Sequence, residues 1–137
     1  MDTPELRQQL DTVLARYKLE AHRDSTVSAL AQGVRKLLDI AMAVVSRPRI
    51  LLLDEPTSGI SVEEKFDFMD IVMDALKEDG VTVLFVEHDM EIVARYVSRV
   101  LAFYQGEIIA DMPPKKALSD KKVQEFVIGK EHHKRKK

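Results

Sequence analysis

The sequence predicts an α/β fold in which mostly parallel strands are flanked by helices, with a β-hairpin toward the C-terminal end. Three observations support this prediction. An unbroken apolar run, residues 50–53, is typical of a strand buried on both faces of a sheet. A second apolar run rich in β-branched residues, 81–86, follows after an amphipathic stretch. Two further apolar runs flank Tyr104-Gln105-Gly106, a sequence typical of a hairpin turn.

The first helix is predicted from its start signal and its periodicity. Thr3 suits the N-cap, Pro4 the first helical position, and Glu5 an acidic first turn. Apolar residues then recur at three- and four-residue spacing, which predicts a helix to about residue 18 with its stripe facing the core. The stripe consists of Leu6, Leu10, Val13, Leu14 and Tyr17. Residues 19–28 are predicted to form a connecting loop with at most one helical turn.

A second helix is predicted to follow Gly33 and to end near Ser46, because Arg47 precedes Pro48. Its apolar face is broad and comprises Leu37, Leu38, Ile40, Ala41, Val44 and Val45.

Beyond the first strand, Ser61 and Glu64 form the S-x-x-E pattern of a capping box, which opens a third helix to about residue 78. Gly80 suits the residue after its end. The side chains predicted to pack inward on this helix are Val62, Phe66, Met69, Met73 and Leu76. Asp89 is expected to cap a helix through about residue 98, with Met90, Val93, Ala94 and Val97 inward. Pro113-Pro114 breaks the chain before two short helices, near residues 115–118 and 120–128.

Two adjacent carboxylates end the first strand. Asp54 and Glu55 follow the apolar run directly, and Pro56 prevents its continuation. Ligands of open α/β sheets bind at the carboxyl ends of the strands. Two carboxylates there can act differently, because one can hold a hard cation while the other accepts a proton from water. For these residues alone, a strand whose acidic end only meets solvent is the alternative.

The longer stretch 49–61, R-I-L-L-L-D-E-P-T-S-G-I-S, resembles the Walker B strand and D-loop of ATP-binding cassette (ABC) ATPases. The resemblance implies that Asp54 binds Mg²⁺ and that Glu55 polarises the attacking water. It also implies that residues 58–61 form the D-loop, which communicates with the opposite subunit. Ser61 stands where this loop usually closes with Asp. The residues of the D-loop assigned to nucleotide binding are Ser58 and Gly59.

Segment 30–36, L-A-Q-G-V-R-K, is similar to the ABC signature L-S-x-G-x-x-R/K and lies at the family's usual distance before Walker B. A glycine beside a helix start permits close backbone approach, and free N–H groups there attract phosphate. Ala31 replaces the signature Ser, which removes one charge-assisted hydrogen bond worth about 1.5–3 kcal/mol. The residues that the resemblance assigns to ATP bound on a partner subunit are Leu30, Ala31, Gln32 and Gly33.

His88 follows the second predicted strand, 33 residues after Glu55. It resembles the switch (H-loop) histidine of ABC ATPases, which implies contact with the γ-phosphate and with the attacking water. A lone surface histidine is the alternative for this residue by itself.

Two segments near the C-terminal end resemble a particular group of ABC ATPases. Residues 106–110, G-E-I-I-A, and 121–129, K-K-V-Q-E-F-V-I-G, look like those of the ATPases of branched-chain amino-acid and urea importers. This implies an ATP-binding and ATP-hydrolysing subunit that dimerises with a second ABC ATPase subunit and drives membrane permease subunits. The implied location is cytoplasmic, peripheral to the inner face of the cell membrane.

The phosphate-binding pattern G-x-x-x-x-G-K-[ST] is not found around any of the five glycines. The resemblance therefore corresponds to the C-terminal half of a P-loop NTPase domain. Residues 1–46 would belong to the helical signature subdomain. Residues 47–129 would form the Walker B, D-loop and H-loop part of the ATPase core, with the hairpin and terminal helices. Residues 130–137 would be a basic tail.

Two expectations follow from the lack of a phosphate loop. The isolated chain should not hydrolyse ATP, because phosphoryl transfer depends on positioning of the triphosphate. The sheet should also expose an apolar edge and face at Leu51 and Leu53, so that the chain self-associates or docks with the missing N-terminal half.

Composition is that of a soluble globular domain, with 45% hydrophobic residues, 32% charged residues and a net charge of −2. This balance gives no case for a nucleic-acid partner. No apolar run is long enough to span a bilayer, and the lack of Cys excludes disulfides and thiolate metal sites. The tail, residues 130–137, is predicted to be solvated, with contact to anionic lipid as the alternative.

Two other functions stay open at this stage. One is a non-catalytic interaction or regulatory module, or a truncated gene product, that pairs with a complete ABC ATPase. Ala31 favours it, whereas the acid pair and His88 oppose it. The other is an ATPase head of the DNA-repair type, which would require long flanking heptads that this sequence lacks.

Overall fold

The structure is a computed structural model that describes residues 3–129 of the chain. Within this range the chain forms two units, which divide after Val86. The predicted basic tail lies outside the described residues. No helix between residues 3 and 129 is long and apolar enough to cross a membrane.

Helix α1, Pro4–Arg16, begins as predicted, because Thr3 Oγ1 accepts a hydrogen bond from Leu6 N at 3.2 Å. The prediction that its apolar stripe faces the core was wrong for the first two turns, where Leu6 and Leu10 are exposed. Burial begins only at the C-terminal end of the helix, where Tyr17 is 1% exposed. Periodicity shows which residues share a face of a helix, but not what covers that face.

Two 3₁₀ turns, Glu20–His22 and Val27–Ala29, connect α1 to helix α2, Gln32–Val45. The predicted loop therefore contains one turn more than expected. One face of α2 is buried, as the spacing predicts, and its buried residues are Leu37, Ile40, Ala41 and Val44. Val45 was predicted on this face and is exposed, because it lies at the edge of the stripe. The helix ends next to Ser46, as predicted.

Strands β1, Ile50–Asp54, and β2, Thr82–Val86, pair in parallel, which confirms the predicted strand type. The register sets Leu52 beside Leu84 and Asp54 beside Val86. The prediction that β1 is buried on both faces was wrong. Side chains alternate between the two faces of a strand, so these two pairs lie on one face.

Within the described unit, one face of the β1–β2 sheet is covered and the other is not. Leu51 is 8% exposed, whereas Leu52 is 69% exposed. We call the four exposed apolar side chains on the uncovered side the outer face: Ile50, Leu52, Leu84 and Val86. Exposure had been predicted at Leu51 and Leu53. That was wrong, because Leu51 is buried and Leu53 is half-buried on the opposite side of the strand.

Helix α3, Lys65–Glu78, begins later than predicted, since its N-cap is Glu64 rather than Ser61. The capping-box pair does form. Glu64 N donates to Ser61 Oγ at 3.3 Å, and Ser61 Oγ donates to Glu64 Oε2 at 2.8 Å. These bonds close a turn in front of the helix, which leaves Val62 exposed instead of inward. The apolar residues that α3 buries are Phe68, Met69, Val72, Ala75 and Leu76. Gly80 ends it at φ +65, as predicted.

The second unit consists of short helices around a hairpin. Its elements are α4, Met90–Tyr96; β3, Val100–Tyr104; β4, Glu107–Met112; α5, Pro114–Ser119; and α6, Lys121–Val123, followed by a π-helical turn, Gln124–Ile128. The hairpin is confirmed, since β3 and β4 pair antiparallel. Gln105 and Gly106 both have positive φ, as the tight hairpin turn requires.

A small core holds this second unit together. Ala102 and Ala110 from the hairpin pack with Val123 from α6. Helix α4 is capped by Asp89 as predicted, but it ends at Tyr96 instead of near residue 98. Its fully buried residue is Ile92. Three of the residues predicted inward are only half-buried, namely Met90, Val93 and Val97, and the fourth, Ala94, is exposed. Helix α4 is shorter than predicted and buries fewer of its apolar residues.

Candidate functional site

The two predicted catalytic acids lie at the carboxyl end of β1. Asp54 is the last residue of the strand and is exposed. Glu55 follows with φ +47, in the left-handed region that non-glycine residues rarely adopt. Its backbone N–H donates to Val86 O at 2.9 Å, so the pairing with β2 continues one bond past the strand. The chain therefore changes direction sharply at the acid pair while staying attached to the sheet.

Residues 55–60, here called the β1 turn, are closed by their own backbone. Ser58 N donates to Glu55 O at 3.0 Å, and Ile60 N donates to Thr57 O at 3.1 Å. Pro56 is buried within this turn. The β1 turn is therefore an ordered continuation of the strand.

Lys36 of α2 binds the β1 turn through two hydrogen bonds. Its Nζ donates to Pro56 O at 3.1 Å and to Ser58 O. Hydrogen bonds from a charged group contribute about 1.5–3 kcal/mol each. The sequence comparison matched Lys36 to the signature pattern but gave it no role. Its position in that pattern was the only sequence feature that could have indicated a role. Hydrogen bonds to carbonyl groups about 20 residues away cannot be read from a sequence.

Gln32 makes a second contact between α2 and the β1 turn. A Cβ placed on Gly59 would lie 2.2 Å from Gln32 Nε2, well inside any permitted contact. Gly59 also has φ +77, which glycine adopts without strain. The structure thus brings together three predicted site residues, Gln32, Ser58 and Gly59, by packing the first turn of α2 against the β1 turn.

The other predicted signature residues surround the beginning of α2. Leu30 is buried, and Ala31 is the N-cap. Gly33 had been predicted just ahead of the helix and instead lies in its first turn, because the helix begins at Gln32. Alanine has no oxygen with which to cap the first N–H groups of the helix.

His88 belongs to the second unit and is exposed. The Glu87 carboxylate accepts hydrogen bonds from His88 N at 3.0 Å and from Asp89 N at 3.4 Å. Asp89 Oδ1 in turn accepts from Glu91 N at 3.0 Å and begins α4. These bonds fix the backbone on both sides of the histidine. Its predicted partnership with Asp54 and Glu55 stays a prediction.

The described residues do not form a metal site that is complete in protein ligands. No group of three or more His, Asp or Glu side chains within residues 3–129 is arranged to hold an ion. Mg²⁺ at nucleotide sites commonly takes one or two carboxylates, and phosphate oxygens and water complete its coordination. Asp54, an exposed carboxylate at a strand end, is chemically suited to that limited role.

Comparisons with known proteins agree on one kind of domain. Residues 2–58 match the ABC transporter family model. The energy-coupling factor transporter ATP-binding protein EcfA3 of Clostridium perfringens is 32% identical over 119 residues, which make up 87% of this chain and 42% of that protein. The putative ABC transporter ATP-binding protein SACOL2708 of Staphylococcus aureus is 32% identical over 126 residues, or 92% of this chain and 22% of that protein.

Solved structures extend the likeness to the fold. The ATP-binding cassette MJ1267 of an ABC transporter, in its ADP conformation, superposes with a TM-score of 0.81 at 31% identity over 94% of this chain and 52% of its own. CbiO1 of Clostridium perfringens, part of the ABC transporter complex CbiONQ, superposes with a TM-score of 0.78 at 30% identity. The match covers 98% of this chain and 56% of CbiO1. The chain thus spans less than half of the curated relatives and about half of these structures. We conclude that the chain has the fold of an ABC transporter ATP-binding domain, as the sequence predicted.

Proposed function

We propose that the chain forms part of an ATP-binding and ATP-hydrolysing subunit of an ABC transporter. The contact between α2 and the β1 turn is the main support. The segments that resemble the signature and the D-loop are joined by Lys36 and by the close approach of Gln32 to Gly59. The β1 turn begins at Glu55, one of the two predicted catalytic acids. The segment that would contact a nucleotide is therefore joined by these contacts to the turn that begins at Glu55.

In this proposal each residue has a distinct task. Asp54 would give one carboxylate oxygen to Mg²⁺, which neutralises charge on the phosphates. Glu55 would orient the attacking water and accept its proton, and His88 would contact the γ-phosphate. Residues 30–33 would present backbone N–H groups to ATP held by a second subunit. Ala31 has no hydroxyl to add to this contact, so we expect the signature to bind ATP more weakly than one that carries serine.

The transporter type is a finer proposal. The sequences of residues 106–110 and 121–129 favour an importer ATPase of the branched-chain amino-acid or urea kind. The similarity to EcfA3 and CbiO1 favours an energy-coupling factor transporter instead. In either case the partners would be a second ATPase subunit and permease subunits in the membrane, with this chain on the cytoplasmic side.

A non-catalytic partner of a complete ABC ATPase is the second candidate function. Ala31 favours it, because the substitution weakens the segment that would contact ATP.

Reconstitution separates the two candidates. The isolated chain is expected to release no phosphate from ATP. A mixture with the segment of MJ1267 that lies outside the matched region should release phosphate, since the proposal requires that segment for a complete ATP site. Glu55→Gln should reduce this rate by a factor of roughly a hundred or more, because the proton acceptor is lost.

Glu63→Gln is the matched control, since Glu63 is an exposed acid outside the proposed site. Turnover by the isolated chain that disappears in Glu55→Gln would contradict the proposal. Tight binding of the chain to a complete ABC ATPase without any turnover of its own would favour the non-catalytic function.

A further inference from the structure

We infer that Lys36 is a positioning residue that makes the start of α2 and the β1 turn move as one body. This inference rests on the proposed function, since it concerns how contact at the signature segment reaches the acid pair. It adds to that function a role for a side chain that touches neither nucleotide nor metal.

The first step is the pair of carbonyl oxygens that Lys36 binds. Pro56 O and Ser58 O belong to peptides two residues apart, and both accept from one ammonium group. An ammonium has three donors, so it can hold both carbonyls at once. Rotation of either peptide would remove its acceptor. The Lys36 bonds therefore fix the orientations of the Pro56–Thr57 and Ser58–Gly59 peptides.

The second step is the surroundings of the ammonium group. Lys36 is half-buried, and within the described part of the chain its recorded acceptors are these two carbonyls, with no carboxylate among them. Among residues 3–129, no acid competes for the charge. Both hydrogen bonds of the Lys36 ammonium group therefore stabilise the conformation of the β1 turn.

The third step is the contact of Gln32 with Gly59. Gln32 and Lys36 are four residues apart, so they lie on the same face of α2. One of them makes polar bonds to the β1 turn and the other packs against its glycine. The contact with Gly59 is made by the end of an exposed, flexible side chain, so the Lys36 bonds provide the main restraint on the turn.

The last step leads from the turn to the acid pair. Ser58 N is bonded to Glu55 O, and Glu55 N is bonded to Val86 O. A displacement of α2 would thus be passed to Glu55 through Ser58, whose carbonyl Lys36 holds. Coupling between two sites is reciprocal, so a ligand on residues 30–33 and a water-activating arrangement at Glu55 should each favour the other.

Hydrogen exchange of the 137-residue chain tests the coupling directly. Lys36→Met keeps the length of the side chain and removes the ammonium. Because the Ser58 and Ile60 amides are bonded within the β1 turn, we expect their exchange rates to rise about tenfold or more. Lys36→Arg should recover most of the protection. Lys77→Met, on the exposed side of α3, is the control. Unchanged exchange in Lys36→Met would overturn the inference.

The reconstituted ATPase gives a second readout. Lys36→Met is expected to lower kcat with little change in the KM for ATP, because the residue positions Glu55 and does not bind nucleotide. Equal kcat in Lys36→Met and wild type would also overturn the inference. The exchange experiment needs no nucleotide. A mixture with no activity would therefore count against the proposed function, while the exchange data would still decide the role of Lys36.

Gly59 provides an independent variant. Gly59→Ala should raise amide exchange in the β1 turn, because alanine is strained at φ +77. Gln32→Ala removes a flexible, exposed side-chain end beside Gly59, so it should leave amide exchange in the turn nearly unchanged. If Gln32→Ala raises exchange as much as Lys36→Met, Lys36 is not the residue that holds the turn.

Discussion

The two faces of the β1–β2 sheet carry the same kind of side chain and meet different surroundings. Leu51 is buried in the first unit, whereas the adjacent Leu52 belongs to the exposed outer face. Parallel sheets are normally covered on both faces. The apolar outer face is therefore suited to packing against a second layer of structure. The described residues of its unit do not provide that layer. An apolar strand sequence shows that a face is suited to burial, but not that this chain buries it.

Helices α1 and α2 repeat the contrast. Both carry apolar residues at helical spacing, yet Leu37 and Ile40 of α2 are buried while Leu6 and Leu10 of α1 are exposed. Helical spacing of apolar residues by itself thus did not decide how deeply each helix is buried.

The sharpest test of this contrast is a pair of identical substitutions on neighbouring residues. Leu51→Ala should lower the free energy of unfolding by about 2–5 kcal/mol, because it leaves a cavity in a packed region. Leu52→Ala should change it by less than about 0.5 kcal/mol, since the side chain is already in water. Urea titrations of both variants measure the difference. Equal losses would mean that the outer face is covered in solution.

The buried hydroxyl of Tyr17 gives a second test of burial in the first unit, through its pKa. Its hydroxyl is buried and has no hydrogen-bond partner in the part of the chain that the structure describes. Burial, together with the nearby charge of Asp79, raises its pKa from 10.0 to about 12. The unfolded chain therefore ionises first as the pH rises. The contribution of Tyr17 to stability is complete below about pH 10 and is lost between about pH 10 and 12, for a total of about 3 kcal/mol.

Tyr17→Phe should remove this dependence on pH. At neutral pH it should leave stability equal or increased by about 1 kcal/mol, because an unsatisfied buried oxygen disappears. Urea titrations at pH 8 and pH 11 measure both effects, with Tyr104→Phe as the control. A drop in stability at high pH that persists in Tyr17→Phe would assign the titration to another group.

The outer face provides the smallest expected change in stability. Leu52→Lys combined with Leu84→Glu should leave the free energy of unfolding within about 0.5 kcal/mol per site, because the paired side chains then carry opposite charges. The same double variant should reduce self-association, because exposed apolar patches on a sheet favour contact between chains. Sedimentation velocity compares it with wild type and with Glu63→Lys, an exposed control. A wild-type chain that sediments as a single monomer would contradict the predicted self-association.

Local features of the fold followed closely from the sequence. Thr3 and Asp89 cap their helices, Gly80 ends α3, and Gln105-Gly106 forms the hairpin turn. Each of these features depends on hydrogen bonds or backbone angles among residues close together in the chain. Such features can be predicted from the sequence. The capping box at Ser61 formed as predicted but did not set the first residue of α3, because the bonds of a turn do not require a helix to follow.

Prediction of the candidate site was correspondingly uneven. The place of Asp54 and Glu55 at the end of a parallel strand followed from a run of apolar residues ending in acids. The bonds of Lys36 to Pro56 and Ser58 did not follow, because they join segments that only the packing of α2 beside the β1 turn brings together.

By itself, the sequence determined the order and type of the strands and main helices and several of their capping residues, since these depend on local backbone chemistry. It also predicted the fold of ABC ATPase domains, because a motif keeps its spacing whatever surrounds it. Only the tertiary structure decided which apolar faces are covered and which carbonyl oxygens Lys36 reaches. Burial and long-range hydrogen bonds depend on neighbours distant in the chain, and no local pattern specifies those neighbours.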